Sequence, residues 1–195
     1  VKIGEQYWMA ENLKTTHYAD GTPLVDGTGV GSIEGDYTTK YYFAYDDDES
    51  NVETYGRLYT WAAVMNGAES SNENPSGVQG VCPDNWHVPS KAEWNEMINY
   101  LGGEEIAGGK LKATGYDYWN YPNAGASNES GFSSLPGGHR GLSDFTWINN
   151  SAGYWSSLRT YNTAYSLKLD FNDAGVSSSN YYVMGVGFSV RCVRD

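Results

Sequence analysis

Two stretches of this chain carry side chains whose types and spacing could do chemistry. The densest run of carboxylates is Asp46-Asp47-Asp48-Glu49. Hard oxygen ligands at close spacing are what Ca²⁺ requires, because its charge offsets their mutual repulsion. Asp46, Asp48 and Glu49 are therefore the candidate metal ligands. The run lacks the D-x-[DN]-x-[DN]-G order of a helix–loop–helix calcium site, so a solvated acidic loop is the favoured reading, no cofactor is expected, and calcium is kept as the alternative. The second stretch is GYDYWNYPNAGASNESG, residues 115–131. It crowds Tyr116, Tyr118, Trp119 and Tyr121 into glycine, asparagine and proline, a composition that predicts a loop. Aromatic rings beside hydrogen-bonding groups such as Asn123 suit a sugar face or the centre of a protein interface. Rings that cap the core beneath a long loop are the slightly favoured reading. Arg140, in PGGHRG, and Arg191, in GFSVRCVRD, could bind anions, but structural pairing with the abundant carboxylates is the favoured reading.

Other chemistries lack a pattern. His17, His87 and His139 are scattered, with no H-x-x-H, H-E-x-x-H or C-x-x-C spacing for a metal. His87, between Trp86 and Val88, reads as a packing residue. There is no G-x-S-x-G elbow, and Gly27, Gly29 and Gly31 lack the spacing and frame of a dinucleotide loop. Paired carboxylates for glycoside hydrolysis could be assembled by folding, but no signal picks them out. Cys82 and Cys192 are either two separate buried thiols or one bridge. The bridge is favoured; it would close a loop of about 110 residues, stabilise by roughly 4–5 kcal/mol in the chain-entropy account, and imply an oxidising compartment.

These groups need elements to position them. Ser90 and Glu93 form an S-x-x-E capping box behind Pro89, and Trp94, Met97, Ile98 and Leu101 recur on one helical face. The spacing predicts a helix over 90–101, stopped by Gly102-Gly103. A second helical pattern runs through 55–67, with Leu58, Trp61, Ala62 and Met65 on one face and Gly67 as its end. Strands are expected at 2–13, 41–43, 132–135, 153–157, 164–171, 175–183 and 187–193. In 164–171, Tyr165, Leu167, Leu169 and Phe171 alternate with Ser166, Lys168 and Asp170, which marks a half-buried strand. The order predicts one α+β domain spanning 1–195.

Composition narrows the partners. Twenty-four glycines, seventeen tyrosines and seven tryptophans favour a loop-rich fold with short strands. A net charge of −12 opposes nucleic acid and anionic membranes, whose binding rests on clustered Lys and Arg. No apolar run approaches the ~20 residues of a membrane span. The chain begins directly in a strand-like pattern, so any signal peptide or lipid anchor is expected to lie outside it.

Seven collinear segments, VKIGEQYWMAENL, YGRLYTWAAVMNG, GVCPDNWHVPSKAEW, GGKLKATG, NESGFSSLPGGHRG, GYWSS and GFSVRCVRD, resemble the Fibrobacter succinogenes major paralogous domain, a family of secreted and surface-attached bacterial proteins. The helix-opening W-x-x-P-[ST]-x-x-E-W and the terminal G-F-x-V-R-C-V are also similar to those of formylglycine-generating enzymes and other C-type-lectin-like domains. That resemblance implies a C-type-lectin-like fold: two helices flanking small antiparallel sheets, with adjacent N- and C-terminal strands. It implies no established reaction. Cysteines committed to a bridge leave no thiol for formylglycine chemistry. The calcium motifs of sugar-binding lectins are absent in order, Glu73-Asn74-Pro75 and Phe171-Asn172-Asp173 being the nearest strings. Many similar chains carry an extra cysteine pair where this one has Ala44 and Val52, so the acidic loop here is mobile or held by something else. The expectation is a non-enzymatic recognition module, extracellular or on the bacterial outer membrane as part of a larger lipoprotein. It is expected to be monomeric and to bind a glycan or a surface protein through Tyr116, Tyr118, Trp119, Tyr121, Asn123 and Arg140. A polysaccharide-acting enzyme and a purely structural module are the alternatives.

Overall fold

The S-x-x-E signature folds as its chemistry requires. In the computed structural model, which describes residues 1–194 and leaves Asp195 outside, Ser90 Oγ accepts the Glu93 N–H at 3.1 Å. The Glu93 carboxylate accepts the Ser90 N–H at 2.9 Å. Glu93 is wholly buried, and it also accepts the Ser76 N–H and meets His87 Nε2. One carboxylate thus ties the helix start to two neighbouring turns.

In chain order, β1 (Lys2–Ile3) and β2 (Gln6–Trp8) form a hairpin, and β3 (Val25–Asp26) runs parallel to β4 (Tyr41–Phe43). Next come α1 (Ser50–Tyr55), β5 (Leu58–Thr60), α2 (Trp61–Met65), α3 (Lys91–Tyr100) and α4 (Glu104–Leu111). The remainder is strands: β6 (Gly137–Arg140), β7 (Phe145–Ile148), β8 (Ser151–Thr160), β9 (Thr163–Asp170), β10 (Ser177–Val183), β11 (Gly187–Phe188) and β12 (Val193–Arg194). Among the described residues a small sheet, β1-β2-β12, joins the two ends of the chain. The larger sheet runs β10-β9-β8-β6-β11-β5-β4-β3, with β7 beside β6. This is a mixed α+β fold, and no helix among the described residues is long and apolar enough to cross a membrane.

Two large aromatic-rich cores fill it, beside a smaller one of Ile33, Phe43, Tyr45 and Leu58. One packs Trp61, Trp155 and Phe188 around the Cys82–Cys192 disulfide, which closes a separation of 110 residues. The other stacks Trp8 on Trp94 at 4.4 Å between centroids and adds Trp119, Phe132 and Tyr154.

Several expectations need correction. Residues 2–13 are not one strand but the β1–β2 hairpin followed by irregular chain, and 187–193 divides between β11 in the larger sheet and the start of β12 in the smaller one. Residues 55–67 are not one helix: Leu58, Tyr59 and Thr60 are buried in β5, between β4 and β11, and only Trp61–Met65 is helical. The demand of a central ladder overrides the local pattern. Residues 132–135 make one isolated bridge, Ser134 to Lys112, rather than a strand. Helix α4 is absent from the sequence reading because Gly108 and Gly109 look like breakers. They are close-packing positions instead: a Cβ on Gly108 would collide with the Gly175 carbonyl, and one on Gly109 with the Gly125 carbonyl.

Packing and propensity therefore give opposite signs at Gly109. Alanine is the better helix former by about 1 kcal/mol, yet Gly109→Ala should destabilise the protein by about 1–3 kcal/mol through overpacking. Urea unfolding measures it, and a stabilised variant would contradict the close approach.

Candidate functional site

The aromatic loop is hung from a buried cation. Arg191 is 1% exposed. Its Nε donates to Asn12 Oδ1 at 2.6 Å, and Nη1 donates to the carbonyls of Met9 and Phe132 at 2.9 and 2.6 Å. Nη2 reaches the Ser133 carbonyl at 3.3 Å. The guanidinium also lies 4.4 Å from the Phe132 ring centroid. Burial pulls its pKa below the ordinary arginine value, but a guanidinium stays charged. These bonds fix 132–134, and the next carbonyl, that of Ser134, accepts the Trp119 indole N–H at 2.9 Å.

Trp119 is thereby an anchor, not a ligand contact. It is 1% exposed, whereas Tyr116, Tyr118 and Tyr121 are 63%, 41% and 77% exposed. Beneath it, Lys112 Nζ lies 5.4 Å from the indole and donates to the Asp170 and Asp173 carbonyls at 2.9 and 2.7 Å. Burial lowers the Lys112 pKa to about 8, against the opposing pull of Asp173 and Asp170. Asn123 is buried too, its Nδ2 donating to the Ala113 and Gly115 carbonyls. The Asn120 and Ala124 N–H groups bond the Asn149 and Phe171 carbonyls. The Trp119 indole N–H and the Asn123 amide N–H groups thus hold the loop together from inside, while the Asn123 Oδ1 is buried with no partner among the described residues.

The three tyrosines remain on the outside. Tyr116 and Tyr121 meet at 5.7 Å between centroids, and Tyr118 stands edge-on to Tyr55 at 6.2 Å. Tyr118 also walls a cleft of about 430 Å³. Asn12 and Arg191 line it, and Lys14 sits 3.3 Å from Glu11 and 3.8 Å from Glu53 on the same lining. Both carboxylates are largely solvent-exposed. Neither occupies the apolar pocket that makes a carboxyl into a general acid. The sequence reading missed Trp147, 53% exposed in β7, with the Lys168 ammonium 5.4 Å from its ring centroid. The turn after it carries Asn149, which bonds the tyrosine loop. Only its place among polar residues in FTWINN could have signalled it.

Arg140 is a second buried cation, and the structure corrects its expected role. It donates to the carbonyls of Gly141, Val30 and Gly31 and lies against Phe43 and Phe145. Its N–H groups are taken up by these backbone carbonyls, and it pins the glycine-rich loop. The acidic run is likewise dispersed. Glu49 takes both Arg57 amino groups at 2.8 Å, a pairing that lowers its pKa. Asp48 accepts the Ser50 N–H and Asp47 the Gly29 N–H. Asp46, Asp48 and Glu49 do not converge, and no group of three or more His, Cys, Asp or Glu among the described residues could hold a metal ion. The Glu49–Arg57 fork supplies a tie for the segment between Ala44 and Val52. His87, partly exposed, meets the buried Glu93, and His139 packs on Phe188 at 5.3 Å, with burial lowering its pKa to about 4.

A family model described as the Fibrobacter succinogenes major domain matches residues 1–194. No curated protein and no solved structure matches the chain.

The buried lysine gives a pH signature. Its folded pKa of about 8 lies below the ordinary 10.5, so the unfolded chain binds more protons in that window and stability rises with pH across it. Above about pH 10 the tyrosines act oppositely, because burial raises the pKa of Tyr59 and Tyr154. Unfolding free energy should climb from pH 8 to 10, and Lys112→Met should remove that climb. Equal slopes for the two proteins would contradict the burial of a charged Lys112.

Proposed function

The chain belongs to the Fibrobacter succinogenes major domain family, and from that premise we propose that it is a non-enzymatic recognition module outside the cell. Its ligand is a glycan, held on the tyrosine loop and in the adjoining cleft. One observation carries this reading: Tyr116, Tyr118 and Tyr121 stay exposed on a loop whose Trp119 and Asn123 are buried and bonded. Rings fixed before binding lose little freedom when a sugar stacks on them, and large apolar rings are otherwise disfavoured in water. Trp147 adds weight. An exposed tryptophan at φ 69° is backbone strain, which proteins tolerate mainly where a side chain must be presented.

The finer fold assignment belongs to the same proposal. Terminal strands side by side in β1-β2-β12, α3 behind its W-x-x-P-S-x-x-E-W signature, and a long irregular stretch between α4 and β6 support a C-type-lectin-like domain. The disulfide supports an oxidising, extracytoplasmic setting. Glycan arrays followed by titration test the function. Tyr116→Ala and Tyr121→Ala should each weaken the best glycan about 3- to 10-fold, the worth of one aromatic contact, with melting temperature unchanged. Trp119→Ala would destabilise the protein instead. Absence of glycan binding, or binding indifferent to both tyrosines, would overturn the proposal; release of reducing ends would move the protein into the enzymes.

A further inference from the structure

A second cleft, of about 490 Å³, opens between the β8–β9 hairpin and α2, away from the tyrosine loop in sequence. Its charge is inverted relative to the chain. The whole protein has 24 acidic and 12 basic residues, yet this lining carries Arg159 and Lys40 against one carboxylate, that of exposed Glu69. The two cations differ in what they are free to do. Lys40 Nζ donates to Asn66 Oδ1 at 2.7 Å. Arg159 lies 5.8 Å from the Trp61 ring centroid, and its guanidinium N–H groups find no acceptor among the described residues.

Arg159 is exposed and shares that freedom with Arg194, which is engaged only by the Tyr7 and Trp86 rings, but of the two only Arg159 lines this cleft. The N–H groups of Arg57 are taken by Glu49, and those of Arg140 and Arg191 by carbonyls. An uncommitted guanidinium is a planar fork matched to the two oxygens of a carboxylate or sulfate. The same lining holds the buried side chains of Met65, Met184 and Trp61, and Asn162 and Thr38 add hydrogen-bonding groups. An anion fork with apolar and hydrogen-bonding groups in one cleft suits a ring that bears an oxyanion. We propose that this cleft binds an acidic saccharide residue, one carrying a carboxylate or a sulfate, with Arg159 as its anchor. The site is independent of the tyrosine loop and stands or falls without it.

The test is NMR titration of the isotope-labelled protein with glucuronate, glucose 6-sulfate, glucose and inorganic sulfate. At least one acidic sugar should saturate shifts at the Arg159 Nε–H and the Met65 and Met184 methyls, at least tenfold more tightly than glucose or inorganic sulfate. The carboxylate and sulfate arms identify which oxyanion is preferred. Arg159→Gln should lose that binding at least tenfold, and Arg159→Lys, which keeps the charge without the fork, should fall between. A Tyr116→Ala/Tyr121→Ala double variant should bind at this cleft as the wild type does. The proposal is overturned if no acidic sugar saturates, if glucose or inorganic sulfate binds equally well, or if Arg159→Gln is unaffected.

Discussion

A buried arginine with no carboxylate partner is the constraint on which the rest of this molecule depends. Placing a guanidinium in the interior is expensive unless its donors are used, and Arg191 uses them on two separate stretches, residues 9–12 and 132–133. Hydrogen bonds to a charged donor contribute about 1.5–3 kcal/mol each, and removing the cation would orphan buried carbonyls. Its neighbours extend the clamp. The Val190 carbonyl accepts from Leu13, Cys192 is bonded to Cys82, and Val193 exchanges hydrogen bonds with His87 while pairing with Trp8. Four consecutive positions thus tie the end of the described chain to its start, its middle and the approach to α3.

Function enters through what this clamp holds outward. Arg191 fixes 132–134; Ser134 holds Trp119; Trp119 holds the loop that displays the tyrosines. Lys112 supports the same loop from below, and the paired glycines of α4 let the helix approach Gly125 closely enough to complete it. Polar groups buried here serve order, and those left at the surface are aromatic. The proposed recognition role rests on this division.

Much of the scaffold was legible because it is written in local chemistry. Ser90 and Glu93 announce a capping box, residues 164–171 alternate, and Cys82 and Cys192 are the sole cysteines available to each other. What escaped depends on residues far apart in sequence. Gly108 and Gly109 read as breakers until the carbonyls of Gly175 and Gly125 are seen against them. Leu58 reads as helical until β4 and β11 flank it. The aromatic loop was found by composition, but composition cannot tell Trp119 from Tyr118, since both are bulky rings in one polar stretch. Only the Ser134 carbonyl, delivered by Arg191, separates anchor from display.

Amide hydrogen exchange of the wild type and of Arg191→Lys, which keeps the charge and loses the fork, tests this chain of dependence most directly. In the wild type, the Asn120 and Ala124 amides should be protected as strongly as those of β9. In the variant they should lose protection while the α3 amides keep theirs. Wild-type loop amides that exchange like the exposed turn at 34–36, or a variant whose loop protection is unchanged, would contradict the account.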